Sequence, residues 1–193
     1  MRHHLTARVA DGRSLKLRPL EPRDAPGVQE ACTDPETITW LGGDIINERY
    51  SLEDAHGFIE RARSGVETGT HMSWAIADAD TDGLLGHISL IGSGGKLTDS
   101  AALGYWSHPD ARGTGITTAA AIAVVAEAFC PATDGGGGMR RLSLVVAVGN
   151  VGSQRVAENA GFQRTGRRRE SDLLIDGTYT DEFTYDLLAS DPR

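Results

Sequence analysis

The sequence predicts a single α/β domain, with a mixed, mostly antiparallel sheet of roughly six to seven strands flanked by about four helices. Three observations predict it. The elements run strand, two helices, three strands, helix, strand, helix, two strands. The stretch from Ala101 to Val148 reads as strand, helix, strand, a crossover that demands one parallel pair. Hairpins turning through Asp80-Thr81-Asp82-Gly83 and Asp176-Gly177 supply antiparallel pairs on both sides of it.

Each element has a local signal. Leu15 and Leu17 alternate with Lys16 and Arg18 in a strand over 14–20, ended by Pro19. Residues 22–32 have a helical composition despite Pro26 and Gly27, and 33–47 read as irregular. Ser51-Leu52-Glu53-Asp54 is a capping-box variant, opening a helix to about Arg63 with Leu52, Ala55, Phe58, Ile59 and Ala62 at helical spacing. His71–Ala77 and Leu84–Ile91 form a hairpin, 92–99 a flexible turn, and Ala101–Ser107 the next strand. Ile116–Phe129 is the main helix, with Ile122, Val125, Ala126 and Phe129 expected on its apolar side. Gly135–Gly138 reads as a mobile loop, Arg141–Val148 as the central strand, and Gly152–Ala160 as a short helix ending at Gly161. Gln163–Ile175 and Tyr179–Leu188 form the last hairpin. Residues 14–188 then make one domain, with 1–13 as an N-terminal extension and 189–193 as a tail.

Bulk properties narrow the function. The 193 residues carry 19 basic and 27 acidic side chains, a net charge of −8, which disfavours nucleic acid and anionic membranes as partners and favours a cationic one. Cys32 and Cys130 make no disulfide framework and sit in no nucleophile motif. Cys130 is expected as a buried thiol. No secretory or membrane-spanning run is present, so the cytoplasm is the expected compartment. A homodimer is compatible with the sequence, which does not reveal an interface.

The most informative segment is Tyr105 to Thr118, Y-W-S-H-P-D-A-R-G-T-G-I-T-T. A strand ends, a proline turn follows, and Arg112-Gly113-Thr114-Gly115 opens a helix whose first N–H groups have no helical acceptor. The glycines let an anion approach the backbone. The spacing fits neither a P-loop nor a Rossmann turn: no Gly-Lys-Ser/Thr follows, and Thr118 stands where the third glycine would be. The second segment, 142–162, reads as an apolar strand, then Asn150-Val151-Gly152-Ser153, then a helix ending in N-A-G-F. Together, R-x-x-G-x-T at Arg112, Gly115 and Thr117 and the downstream N-x-x-S resemble the GNAT family of acyl-CoA N-acyltransferases, in its RimJ/RimL-like branch. Thr117 departs from the usual Gly or Ala. The resemblance is sharp from Leu84 to Gly161 and looser outside.

The resemblance implies a sheet with a central splay, and acetyl-CoA as co-substrate with no metal. Its pantetheine arm would pair with the backbone of Tyr105, Trp106 and Ser107. Its diphosphate would lie over Arg112, Gly113, Thr114, Gly115, Ile116 and Thr117, and Asn150 and Ser153 would sit beside the thioester. For Arg112 alone, an exposed turn arginine is the other reading. Ser153 is the candidate donor to the leaving sulfur, in a role compatible with helix capping. The general base stays open among His87, Asp181, Glu182 and a water chain; relatives often place a carboxylate at Ala102, and His108 is expected to be exposed. Arg164, Arg167, Arg168 and Arg169 form either a solvated face or a contact for the 3′-phosphate or an acidic substrate. Trp40-Leu41-Gly42-Gly43 and the helix from Ser51 would line the acceptor side. The implied reaction is direct transfer of an acetyl group to a primary amine, of a protein N-terminus or a small molecule. Deprotonating an α-amine at pH 7 costs about 1.4 kcal/mol and a lysine about 4.6 kcal/mol, which favours the α-amine when no strong base is evident. The alternative is a non-catalytic acyl-CoA-binding sensor or interaction module.

Overall fold

The computed structural model describes residues 1–41, 46–92 and 97–192. Its eight strands are β1 (Leu5–Arg8), β2 (Ser14–Arg18), β3 (His71–Asp78), β4 (Leu84–Gly92), β5 (Ser100–Ser107), β6 (Arg141–Ala147), β7 (Gln163–Leu173) and β8 (Tyr179–Leu188). They form one sheet in the order β1-β2-β3-β4-β5-β6-β8-β7. Every neighbouring pair is antiparallel except β5 and β6, which the crossover makes parallel. The helices are α1 (Ala25–Thr33), α2 (Pro35–Leu41), α3 (Leu52–Thr68), α4 (Ile116–Phe129) and α5 (Val151–Asn159).

Two apolar cores sandwich the sheet. On one face α4 and α5 pack on Leu15, Leu17, Trp74, Ile76, Ile88, Leu90, Leu142 and Leu144. On the other, α1 and α3 pack on Ala75 and Trp106. The main helix buries Val125 and packs Phe129 on the core as expected, but Ile122 and Ala126 face outward. Ala120, Ala121, Val124, Val125 and Ala128 are buried while Ile122 is exposed, because small side chains let the helix axis approach the sheet.

Several segments differ from expectation for identifiable reasons. Leu5–Arg8, placed in an extension, pairs with Ser14–Leu17 as the edge strand of the sheet. Part of the stretch expected to be irregular is the helix α2: the Asp34 carboxylate accepts from the Thr37 N–H at 2.9 Å and Pro35 supplies a preset first turn. The α3 helix runs past Arg63 to Thr68 and stops at left-handed Gly69, whose N–H donates back to the Gly65 and Val66 carbonyls; Gly65 sits inside the helix and leaves room for the His71 ring. Cys130 is half-buried. The four-glycine run is no free loop. The N–H groups of Gly136, Gly137, Gly138 and Met139 donate to Pro131, Glu127, Cys130 and Ala128 carbonyls, closing the C-terminal end of α4. A Cβ at position 136 or 137 would come within 2.3 or 2.6 Å of a carbonyl oxygen of that end. Gly42, Gly43 and residues 93–96 of the expected turn lie outside the described residues.

Gly86 of β4 sets how closely β5 can lie. A Cβ there would stand 2.6 Å from the Trp106 carbonyl oxygen. Replacement Gly86→Ala should therefore part the ladder at the far end of β5 and cost about 1–3 kcal/mol, as overpacking does. A urea midpoint equal to that of the parent chain would contradict this.

Candidate active site

The site begins where two strands separate. β5 and β6 pair only over Ser100–Ala102 with Arg141–Ser143. Beyond that each keeps its outer partner. β5 stays registered with β4 to Ser107, and the His108 N–H extends the association by donating to the Leu85 carbonyl at 2.9 Å. β6 stays with β8 as far as Ala147 opposite Glu182. The edge of β5 from Leu103 to Ser107 is thereby left without a partner on its β6 side. A cleft of roughly 670 Å³ fills the fork, within the range of ligand sites. Its walls are β5, β6, the starts of α4 and α5, and α2.

One lip is the turn from β5 into α4. A 3₁₀ turn at Pro109–Ala111 leads to Gly113 and Gly115 at φ of 69° and 81°. Gly115 occupies the cap position of α4 and offers no side chain to its N–H groups. Among the described residues, the amides from Gly113 to Thr118 have no acceptor. They form an anion cradle of main-chain donors at the positive end of the helix dipole. The Thr117 hydroxyl is turned away from it, bonded to Ser107 Oγ at 2.6 Å, so the threonine adds little bulk at that position. The Arg112 side chain also faces elsewhere. Its guanidinium donates to the Asp34 carboxylate, to Glu36 Oε2 at 3.2 Å and to Thr37 Oγ1 at 2.7 Å. It is neither an exposed turn arginine nor directed at the cradle.

The other lip is the turn from β6 into α5. Asn150 Oδ1 accepts from the Ser153 N–H at 3.0 Å and caps the helix. Across the fork the Tyr105 hydroxyl lies 2.9 Å from Ser153 Oγ and donates to the Ser153 carbonyl at 3.0 Å. Tyr105 was expected to contribute backbone alone. Its ring reaches from β5 to α5 and places a second hydroxyl at the serine. Burial pushes the phenol up to about 12, so it keeps its proton at neutral pH. Trp106 points to the opposite face, into the α1–α3 core.

The base candidates separate sharply. His87 is buried between Phe58 and Trp106, with Nε2 2.7 Å from Ser73 Oγ, away from the cleft lining. His108 is buried beside Glu30, contrary to the expected exposure, because the 3₁₀ turn folds it under β4. Asp181 is held by Arg167 Nε at 2.5 Å and by the Glu170 N–H, also outside the lining. Glu182 does line the cleft and accepts from Ser171 Oγ at 2.7 Å and from Arg168 at 3.2 Å. Asp172 lines it too, and burial, then the Glu182 charge, raises its carboxyl above the usual range. Neither Asp172 nor Arg155, an exposed cation on the same rim, was singled out from sequence. The arginines 164, 167, 168 and 169 lie on the exposed strand β7 and do not line the cleft.

A forked parallel pair ending at an uncapped glycine helix start is the architecture the two motifs foreshadow. The family model for the acetyltransferase (GNAT) domain matches residues 14–163. The chain belongs to the GNAT acetyltransferase family. It is similar to two Bacillus subtilis proteins: "Probable N-acetyltransferase YjcK", 29% identical over 93% of this chain and 97% of that one, and "Putative ribosomal N-acetyltransferase YdaF", 31% identical over 90% and 91%. Its fold is shared with RimL, a ribosomal L7/L12 α-N-protein acetyltransferase solved with coenzyme A, at TM-score 0.78 and 19% identity, covering 97% of this chain and all of that one. This GNAT domain is thus an acyl-CoA-dependent N-acyltransferase. Among its described residues no group of His, Cys, Asp and Glu is placed to hold a metal ion, and no helix is long and apolar enough to cross a membrane.

The buried His87 carries a consequence for folding. Desolvation lowers it to about 3, from 6.5 when exposed. As the pH falls, the unfolded chain takes up this proton first. The stability His87 contributes is complete above about 6.5 and drains away toward about 3, by no more than about 1.4 kcal/mol per pH unit. His87→Gln, with urea midpoints measured from about pH 7 to pH 4, should show a flatter acid limb than the parent; an identical limb would assign the loss to other groups.

Proposed function

We propose that the chain transfers the acetyl group of acetyl-CoA directly to a primary amine, foremost the α-amine of a protein N-terminus. The fork carries this reading: an unpaired strand edge runs straight into a row of free amides, which suits an extended amide-bearing arm that ends in a diphosphate. The residues present fit coenzyme A. Gly113, Thr114, Gly115, Ile116 and Thr117 would hold the diphosphate through main-chain N–H groups, with Arg112 completing the turn. The backbone of Tyr105, Trp106 and Ser107 would pair with the arm. Arg155 would add an exposed cation to the rim of an acidic chain of charge −8, where Arg112 is already paired with Asp34 and Glu36. When bound, acetyl-CoA supplies an acyl group activated as a thioester.

The rest of the chemistry belongs to side chains. Ser153 would donate a hydrogen bond where the sulfur departs, and the Tyr105 phenol, which keeps its proton because it is buried, would hold the serine there through its hydroxyl and carbonyl. Asn150 would hold Ser153 in place by capping its amide. Asp172 and Glu182 supply the negative wall that draws an ammonium and takes its proton, and the raised carboxyl of Asp172 brings it nearer that task. Neither thiol enters the reaction. Cys32 lies outside the cleft lining and burial pushes it up to about 11, and Cys130 is at the far end of α4. Two unpaired thiols also suit a reducing, cytoplasmic setting. The N-terminal α-amine is favoured because it needs the weaker base, and the names of YdaF and RimL point to ribosomal proteins as the acceptors of those relatives.

A free-thiol assay with acetyl-CoA and peptides of free or blocked N-terminus tests the acceptor: the free peptide should react and the blocked peptide's lysine should not. Equal turnover of both would reject the α-amine. Tyr105→Phe and Ser153→Ala should each lower kcat by about tenfold or more with KM for acetyl-CoA nearly constant, and the double variant should lose little more than either alone. Full activity in both, with only a lower melting temperature, would reduce the pair to a structural cap.

A further inference from the structure

We infer that Arg112 is a positioning residue for the acceptor wall: it ties the diphosphate turn to α2, so that filling the turn seats the helix against which the amine docks. This rests on the acyltransferase reading of the cleft.

The α2 helix spans the mouth of the fork. At its start, Asp34 both caps it through the Thr37 N–H and takes the Arg112 guanidinium, which also reaches Glu36 and Thr37. At its end, the Trp40 ring lies so close to Gly149 that a Cβ there would meet it at 2.7 Å. Arg112 belongs to the β5–α4 turn and Gly149 to the β6–α5 turn. One seven-residue helix therefore rests on both lips of the splay, while Glu36, Thr37, Trp40 and Leu41 face the cleft.

The connection is specific to arginine. Three acceptors crowded into the cap and first turn of a short helix, Asp34, Glu36 and Thr37, need a planar fork of donors, which a lysine cannot present. Arg112 and Asp34 are both largely covered, with side-chain exposures of 26% and 19%, so the contact is shielded from competing water. The free amides begin at the very next residue, Gly113. An anion bound there fixes the backbone that carries Arg112, and through it the cap of α2. Linkage requires the reciprocal effect: an amine seated against α2 strengthens acyl-CoA binding by the same factor. Arg112 thus acts on the acceptor through α2, with its charge committed to Asp34 and Glu36 in place of the phosphates.

The test combines two readouts on the full chain: calorimetric affinity for coenzyme A together with hydrogen exchange over 35–41, and steady-state kinetics with a peptide amine. In the parent chain saturating coenzyme A should slow exchange over 35–41. Arg112→Met should abolish that slowing and raise KM for the amine about tenfold, while coenzyme A affinity moves less than about threefold and kcat changes less than KM. Arg112→Lys should recover only part of the effect, and Asp34→Asn, which removes the other partner, should reproduce the Met phenotype. The proposal is overturned if Arg112→Met weakens coenzyme A about tenfold with amine KM and exchange unchanged, which would make the guanidinium a phosphate ligand. It is equally overturned if Asp34→Asn leaves amine KM and exchange as in the parent. Binding of coenzyme A to the parent chain without slowing over 35–41 sinks the coupling alone. No binding at all sinks the acyltransferase reading of the cleft and the coupling with it.

Discussion

β5 and β6 share three residues of parallel pairing, Ser100 to Ala102 against Arg141 to Ser143, and then part. Almost everything else in the molecule exists around that short pairing. It is held from outside: β4 keeps β5 to its end, β8 keeps β6 to its end, and the two outer ladders diverge with the sheet twist. An open strand edge is normally a liability. Here it faces inward, between two strands of the same sheet, where a ligand can meet it and another chain cannot easily pair with it. The core above and below supplies the rigidity, and the fork supplies a slot whose walls carry main-chain donors, hydroxyls and carboxylates.

Much of this was legible in the sequence, and the reasons are local. Gly113 and Gly115 announce a turn with positive φ, and the alanine-rich run after them announces a helix. Asn150 and Ser153 are three residues apart at a helix start, a spacing with a direct geometric meaning. The crossover between Ala101 and Val148 dictates the parallel pair. These signals lie within a few residues of one another, which is where sequence patterns speak most clearly.

What escaped depends on contacts between distant segments. That the Tyr105 hydroxyl reaches Ser153 is a fact about the width of the fork, which no periodicity encodes. Asp172 sits in a stretch rich in charge and Arg155 on the exposed side of a short helix, and only the assembled sheet shows that both reach the cleft. His108 looked exposed because it precedes a proline at a turn; the turn in fact tucks it beneath β4. The α2 helix is a different kind of miss. Asp34-Pro35 is a sound helix start, and its neighbours Thr37 and Thr39 argue against it only weakly, so a stricter reading of the cap would have found it.

The glycine run at 135–138 has an implication for anyone wishing to graft a tag, a label or a guest domain into this protein. Four consecutive glycines look like spare chain, the obvious place to cut and splice. They are instead the plug of the main helix: the Gly137 and Gly138 amides finish hydrogen bonds to the Glu127 and Cys130 carbonyls that the end of that helix would otherwise leave dangling, and at 136 and 137 no larger residue could approach so near. An insertion there would unplug the same helix whose opposite, uncapped end forms the cradle. The tip at Asp176-Gly177, where the side chain of Asp176 satisfies Thr178 locally and the glycine has open space around it, is the safer door.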